Sequence, residues 1–128
     1  SITQLIATQN AAKKAYQMAG IDSHNIDLAE VHDCFTIAEL LATEDLGFAK
    51  RGNGGKFARD GAGRRNEGDV CINPSGGLKS KGHPLGATGA RLMTTMIHSM
   101  KRDGIRYGLQ TMCEGGGQAN VTILENCS

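Results

Sequence analysis

Apolar residues in the first third of the chain predict a helix followed by a strand. The helix covers residues 3–19, and Gly20 stands where a C-terminal cap is expected. Its apolar face repeats with the helical period and consists of Leu5, Ala12, Tyr16 and Ala19. The short apolar stretch from Leu28 to Val31 then predicts a strand that leads into the sequence HDCF.

The middle of the chain predicts a second helix, a long loop and a short strand. Thr36 and Glu39 have the spacing of a capping box and would open the helix, which Gly47 would end. A loop rich in Gly and Arg follows, and residues 70–72 are a brief strand candidate.

The last third predicts one more helix and a pair of strands. The segment GGLKSKGHPLGATGA is expected to be a loop that turns into the helix, with Pro84 in the first turn and Gly104 at the end. Five apolar side chains at helical spacing form the face that should be buried: Leu92, Met93, Met96, Ile97 and Met100. Residues 107–112 and 120–124 are strand candidates joined through CEGGG.

This alternation of helices and strands predicts an α/β fold in which helices lie on a layered, mixed β-sheet. The length suits a single domain over residues 1–128. The chain opens on a helix, whereas an architecture of alternating strands and helices ordinarily begins with a strand. We therefore expect the chain to be an incomplete part of a larger fold.

Composition and charge narrow the classes of function. The 18 glycines are about twice the usual share, which suggests shaped loops. The net charge of +1 hides a segregation: residues 1–49 hold two Lys or Arg against seven Asp or Glu, and residues 50–69 hold six against three. The basic segment is either a solvated loop or a contact for an anionic partner such as a phosphate-bearing cofactor. Nucleic acid is not favoured, because the rest of the chain is not basic.

The four cysteines, at positions 34, 71, 113 and 127, are expected to be reduced. No export signal is visible at the start of the sequence, and no apolar run is long enough to span a membrane. We therefore expect an intracellular protein with free thiols, without a preference among cytoplasm, mitochondrion and peroxisome.

Three polar clusters stand where a strand ends or a helix begins, the positions at which α/β sheets present catalytic groups. They are His32-Asp33-Cys34-Phe35, Lys81-Gly82-His83-Pro84 and Cys113-Glu114-Gly115-Gly116-Gly117. Cys and His can form and quench a thiolate or a carbanion near neutral pH. A Gly triplet can turn bare backbone amides toward a reacting oxygen.

Each cluster also has a purely structural interpretation. The histidines could be core or turn residues, the cysteines small buried hydrophobes, and the Gly triplet a hairpin turn. A zinc site with His32, Cys34, His83 and Cys113 as ligands is a further interpretation. Because the close CxxC pairs of structural zinc sites are absent, we predict no metal.

The succession of HDCF, NPSGGLKSKGHPLGATG and CEGGGQANVTILE resembles the C-terminal half of thiolases. It is most similar to the sterol-carrier-protein type, which has HDCF where other thiolases have Asn-Glu-Ala-Phe. The resemblance implies acyl transfer between a 3-oxoacyl-CoA or acyl-CoA and coenzyme A, with cleavage or formation of a carbon–carbon bond, as in fatty acid β-oxidation. Coenzyme A and acyl-CoA would be substrates, and no cofactor would be bound permanently.

The resemblance also implies roles for single residues. His83 would be the base that activates the acylated cysteine, and with His32 it would face the oxygen of the thioester enolate. Cys113 would be the acid/base thiol that moves a proton on the α-carbon, and Gly115 would lend its amide to a second oxyanion hole. Cys34 is the alternative acid/base thiol, because in some sterol-carrier-type relatives the HDCF cysteine takes that role.

The resemblance implies that part of the active site lies elsewhere. The acylated cysteine belongs to the N-terminal half of a thiolase, and no cysteine here has the matching motif. The first strand of the C-terminal half has no counterpart either. We therefore expect no turnover from this chain alone, an N-terminal half on the same or another chain as partner, and a homo-oligomer when complete. The alternative is a non-catalytic binding or assembly module on the same scaffold.

Overall fold

The computed structural model describes residues 2–128 and confirms a mixed α/β fold. The helices are α1 (Ile6–Ala19), α2 (Thr36–Asp45), α3 (Gly54–Arg59), α4 (Gly77–Lys81) and α5 (Thr88–Asp103). The strands are β1 (Leu28–Glu30), β2 (Cys71–Ile72), β3 (Tyr107–Glu114) and β4 (Gln118–Glu125), and a turn of 3-10 helix at Ser23–Asn25 precedes β1. Among residues 2–128, no helix has the length and apolar character needed to cross a membrane.

The four strands form one sheet in the order β2-β1-β3-β4. β1 runs parallel to both β2 and β3, and β4 returns antiparallel to β3 through a hairpin. All three residues of β1 are buried, as expected for a parallel strand that is covered on both faces. The carboxyl ends of β1, β2 and β3 therefore meet at the same edge of the sheet, and the polar clusters follow there.

The apolar core lies on both faces of the sheet. Because successive side chains of a strand point to opposite faces, Leu28 and Ala29 of β1 belong to different parts of the core. Leu28 packs with Met96 and Met100 of α5. Ala29 belongs to the other part, whose buried members are Ala12, Ile26, Val31, Ala42, Leu46, Val70 and Leu109.

The predicted ends of the two long helices are confirmed, and two of the predicted core positions are wrong. Gly20 and Gly104 both adopt left-handed conformations, with φ of 68° and 65°, and cap α1 and α5. Ala19 and Ile97 are exposed. The rows that pack against the sheet repeat every four residues, at positions 8, 12 and 16 and at positions 92, 96 and 100, and both exposed residues fall outside those rows.

The predicted starts of the second and last helices are also wrong. Phe35, not Thr36, stands at the N-cap of α2 and makes no side-chain cap, while Glu39 accepts a hydrogen bond from Asn73 Nδ2 at 2.8 Å. α5 begins only at Thr88, and Pro84 lies in a preceding turn, where its carbonyl accepts hydrogen bonds from the amides of residues 87 and 88. The short helices α3 and α4 lie inside segments that were predicted as loops.

The end of the basic segment, residues 64–69, reaches the edge of the sheet opposite to the polar clusters. Arg65 pairs with Asp103 at the end of α5, and both line a cavity of about 350 Å³ with Asp27 and Cys71, beside the amino ends of β1 and β2. Gly68 allows a close chain crossing, because a Cβ there would lie 1.7 Å from the carbonyl oxygen of Ala62. For residues 64–69, this placement favours the structural interpretation of the basic segment.

Candidate active site

Four of the five site residues predicted from the sequence come together at the carboxyl edge of the sheet. His32 follows β1, His83 lies between α4 and α5, and Cys113 stands near the end of β3. Cys34, in the bend before α2, completes the group: one ring nitrogen of His32 and the two sulfur atoms all lie within 4.8 Å of one another. Although the chain separates these residues widely, the parallel pairing of β1 with β3 brings them together.

His32 is buried and bonded to Cys113 through one ring nitrogen. Its Nδ1 lies 2.9 Å from the Cys113 carbonyl oxygen and 3.2 Å from Cys113 Sγ. Because a carbonyl can only accept, Nδ1 carries the hydrogen and Nε2 carries a lone pair in the neutral ring. Burial lowers the pKa of His32, with a smaller contribution from His83, so the neutral form is favoured.

His83 is oriented by a hydroxyl within its own loop. The Thr88 hydroxyl is 3.0 Å from the carbonyl oxygen of Pro84, to which it donates, and 2.8 Å from His83 Nδ1. His83 Nδ1 therefore donates to Thr88 Oγ1, which leaves a lone pair on Nε2 in the neutral ring. That Nε2 faces His32 Nε2 at 3.4 Å, with the two rings edge-on at 4.9 Å between centroids.

The two thiols of the group contact each other. Cys34 and Cys113 are hydrogen-bonded through their side chains, and the four thiols of the chain are free. Burial, followed by the charge and hydrogen bonding of Cys34, raises the pKa of Cys113 to about 11. At neutral pH Cys113 is consequently a protonated thiol, which can donate a proton.

The HDCF segment is anchored to α4 by Asp33, a role that sequence reasoning missed. The Asp33 carboxylate accepts from the amides of Leu78 at 2.7 Å and Lys79 at 3.3 Å, and Lys79 Nζ donates to the carbonyl oxygen of Cys34 at 2.9 Å. Gly77 leaves room for the Asp33 carboxylate, because a Cβ at position 77 would lie 2.4 Å from an Asp33 oxygen. Its φ of +62° also favours glycine. The Gly-Gly pair that opens α4 was the available signal.

Asn73 and Glu30 also support the site without having been predicted. Asn73 adopts a left-handed φ of 47°, and its Oδ1 accepts from the amide of Val31 at 2.8 Å, directly before His32. Glu30 is fully buried at the end of β1, and its Oε2 lies 3.4 Å from the hydroxyl of Ser75, while Oε1 has no partner among residues 2–128. Burial raises the pKa of Glu30 to about 7. An acid at the end of an apolar strand carries no sequence signal for either property.

Gly115, the fifth predicted residue, opens the turn between β3 and β4. The hairpin interpretation of the Gly triplet is thus confirmed, with Gly116 and Gly117 at φ of 80° and 74°. Gly115 is exposed, and within residues 2–128 its amide has no hydrogen-bond partner. The amide is therefore free to donate to a ligand oxygen, and its oxyanion role stays a prediction.

Comparison with known proteins decides the family. Residues 1–120 match the family model described as "Thiolase C-terminal domain-like". The chain belongs to the thiolase family. The resemblance inferred from HDCF, GHP and the Cys-Glu-Gly triplet is confirmed, and so is the fold class.

Several thiolases and related proteins are similar over most of this chain. An acetyl-CoA acetyltransferase of Methanothermobacter thermautotrophicus is 57% identical over 95% of the chain, which covers 34% of that protein. Sterol carrier protein 2 of Rattus norvegicus is 38% identical over 91% of the chain and 22% of its own length. The benzoylsuccinyl-CoA thiolase subunit BbsB of Thauera aromatica is 37% identical over 86% of the chain and 30% of its own length. The chain thus spans about a third or less of the length of these thiolase relatives.

Proposed function

We propose that this chain supplies the C-terminal share of a thiolase active site, which transfers an acyl group between a 3-oxoacyl-CoA or acyl-CoA and coenzyme A. The observation that carries the proposal is the continuous contact from Cys113 through His32 to His83. An assembly module has no physical need for a proton donor, a neutral imidazole and a second oriented imidazole in contact.

His83 is the proposed base. Its Nδ1 hydrogen is committed to Thr88, so Nε2 is the atom that can take the proton of an attacking thiol. The acylated cysteine that supplies this proton is proposed to come from the N-terminal half of a thiolase, on the same or another chain.

The proton that His83 takes from the thiol can then form a hydrogen bond to the enolate oxygen. When both rings are neutral, both Nε2 atoms carry lone pairs, and neither can donate to an oxyanion. Once His83 has taken the thiol proton, its Nε2–H becomes a donor in a site already shaped for it. His32 is kept neutral by burial. Its Nε2 lies 3.4 Å from His83 Nε2 and can accept a hydrogen bond from the same Nε2–H.

Cys113 is the proposed acid for the carbanion. In the cleavage direction the α-carbon of the departing enolate takes the Cys113 proton, which the raised pKa keeps on the sulfur until then. The resulting thiolate lies 3.2 Å from His32 Nδ1, which carries a hydrogen and can stabilise it. Cys34 is the alternative donor, since it belongs to the same group.

The decisive experiment compares the chain alone with a reconstituted protein. We expect the purified chain to show no cleavage of acetoacetyl-CoA, and we expect turnover when the complementary N-terminal part of the Methanothermobacter thermautotrophicus relative is supplied in the same assay. Turnover by the chain alone that depends on its own cysteines would overturn the predicted inactivity. A folded complex without turnover would favour the alternative of a binding module.

Matched variants of the reconstituted protein test the two histidine roles and the thiol roles. His83→Ala should slow acylation by about a hundredfold or more, whereas His98→Ala, an exposed histidine of α5, should leave the rate unchanged. Cys113→Ala should abolish proton transfer but leave acylation measurable, with the exposed Cys127→Ala as control. If Cys34→Ala is the more damaging of the two thiol changes, the assignment of Cys113 is wrong.

A further inference from the structure

We propose that His32, Cys34 and Cys113 form a binding site for a soft divalent cation such as Zn²⁺, with three protein ligands and one open coordination position. The three residues stand at two distant places in the chain, and the sequence lacks the paired CxxC spacing of structural zinc sites. The fold supplies the proximity that the spacing does not.

The distances suit tetrahedral coordination. Zinc binds sulfur at about 2.3 Å and imidazole nitrogen at about 2.0 Å, which places neighbouring ligand atoms of a tetrahedron about 3.5–3.8 Å apart. His32 Nδ1 and Cys113 Sγ are 3.2 Å apart, and all three ligand atoms lie within 4.8 Å of one another. Side-chain movements of about 1 Å therefore close the site around an ion.

The donor set selects the class of ion. Two thiolates and an imidazole suit Zn²⁺ and other soft or borderline cations, whereas Mg²⁺ and Ca²⁺ take oxygen ligands. On binding, each thiol loses its proton to the solvent and coordinates as a thiolate. Cys34 and Cys113 are both only half-buried, so an ion can reach them from solvent.

His83 acts in this site as a second-shell partner, which corrects the four-ligand set considered from the sequence. Its Nδ1 is engaged by Thr88, and its Nε2 faces the other nitrogen of His32. When a metal takes His32 Nδ1, the ring hydrogen moves to Nε2 and can point at the His83 Nε2 lone pair. The bound state thus loses the hydrogen bond from His32 Nδ1 to the Cys113 carbonyl oxygen and gains a donor and an acceptor at the two Nε2 atoms. A donor on the outer nitrogen is the usual second-shell arrangement of a metal-bound histidine.

Metal binding and proton transfer compete for the same sulfur atom. A cation on Cys113 removes the proton that the thiol would donate, so occupation would silence the site reversibly. This consequence rests on the proposed function, whereas the binding itself does not.

The test uses the reduced chain and metal ions alone, without acyl-CoA. Titration with Co²⁺ under anaerobic conditions should give a thiolate-to-cobalt charge-transfer band and the intense visible bands of tetrahedral Co²⁺, saturating at about one ion per chain. Zn²⁺ should bleach both bands, and competition with a chromophoric chelator then measures its affinity. Weak octahedral bands, or none, would overturn the proposal.

Variants locate the ion. Cys34→Ser and His32→Gln should each weaken Zn²⁺ binding by about tenfold or more, and Cys127→Ser should leave it unchanged because that thiol is exposed at the end of the chain. Circular dichroism checks the fold of each variant. If Cys34→Ser retains the charge-transfer band while Cys71→Ser or Cys127→Ser loses it, the ion binds elsewhere and the proposal fails. Because no turnover is measured, a failure here is distinct from a failure of the proposed function.

Discussion

Glu30→Gln tests most directly whether the carboxyl edge of the sheet contains a buried acid with a raised pKa. Glu30 is fully buried, and burial is the main cause of a pKa that rises from 4.5 to about 7. The charge of Asp33 adds to the rise, while hydrogen bonds from Ser75 and the charge of Lys81 oppose it.

The raised pKa makes stability depend on pH in a definite direction. Between pH 4.5 and about 7 the carboxyl is ionised in the unfolded chain and protonated in the folded chain, so folding takes up a proton. The stabilisation is complete below the unfolded pKa and is lost as the pH rises through the folded one. At about 1.4 kcal/mol per pKa unit, the loss amounts to roughly 3 kcal/mol of unfolding free energy.

Urea unfolding followed by circular dichroism, repeated from about pH 4 to about pH 8, measures this loss. Gln does not titrate, so the free energy of Glu30→Gln should lack the fall. The lowered pKa of His32 gives the opposite trend, a loss of stability as the pH falls below 6.5. Both proteins share that trend, and the difference between their curves therefore isolates Glu30.

The control makes the same charge change on an exposed residue. Glu67→Gln, in the basic segment, should show the same fall of unfolding free energy with rising pH as the original chain. If the curves of Glu30→Gln and the original chain run parallel within about 0.5 kcal/mol, Glu30 is not a buried acid of raised pKa, and the reasoning is refuted.

Three further substitutions test the supports of the site. Gly77→Ala should lower the unfolding free energy by about 1–3 kcal/mol, because the new Cβ meets the Asp33 carboxylate and φ is left-handed. Gly86→Ala is the control: it has open space around it and should leave the unfolding free energy nearly unchanged in the same urea assay. Thr88→Val removes the hydroxyl that orients His83 and should lower the acetoacetyl-CoA cleavage rate of the reconstituted protein by up to about 100-fold, with little change in the Michaelis constant. Arg65→Glu should leave the dissociation constant for coenzyme A unchanged in calorimetry, because Arg65 lies at the opposite edge of the sheet.

Local features of the sequence were sufficient for the outline of the fold. Apolar periodicity located the two long helices, and glycine at positions 20 and 104 marked their ends, because a left-handed cap is a property of a few adjacent residues. The start of α2 was mispredicted because Glu39 bonds to Asn73, 34 residues away, instead of closing a local cap.

The candidate site likewise contains residues that the sequence reveals and residues that it does not. The motifs around His32, His83 and Cys113 carried their chemistry in the sequence, and the family resemblance rested on them. The supporting residues Asp33 and Glu30 could not be recognised, because their burial and their partners come from segments about 45 residues further along the chain.

The sequence by itself determined the family, the order of the longer helices and the four strands, and the residue types at the carboxyl edge of the sheet. Only the tertiary structure decided which atoms face each other. The pairing of β1 with β3 brings His32 Nδ1 to 3.2 Å from Cys113 Sγ, although the two residues are 81 positions apart in the chain. Thr88 determines which nitrogen of His83 is free. Hydrogen-bond direction and ligand distance are properties of atoms in space, so three residues without metal-site spacing become a candidate zinc site once the sheet has formed.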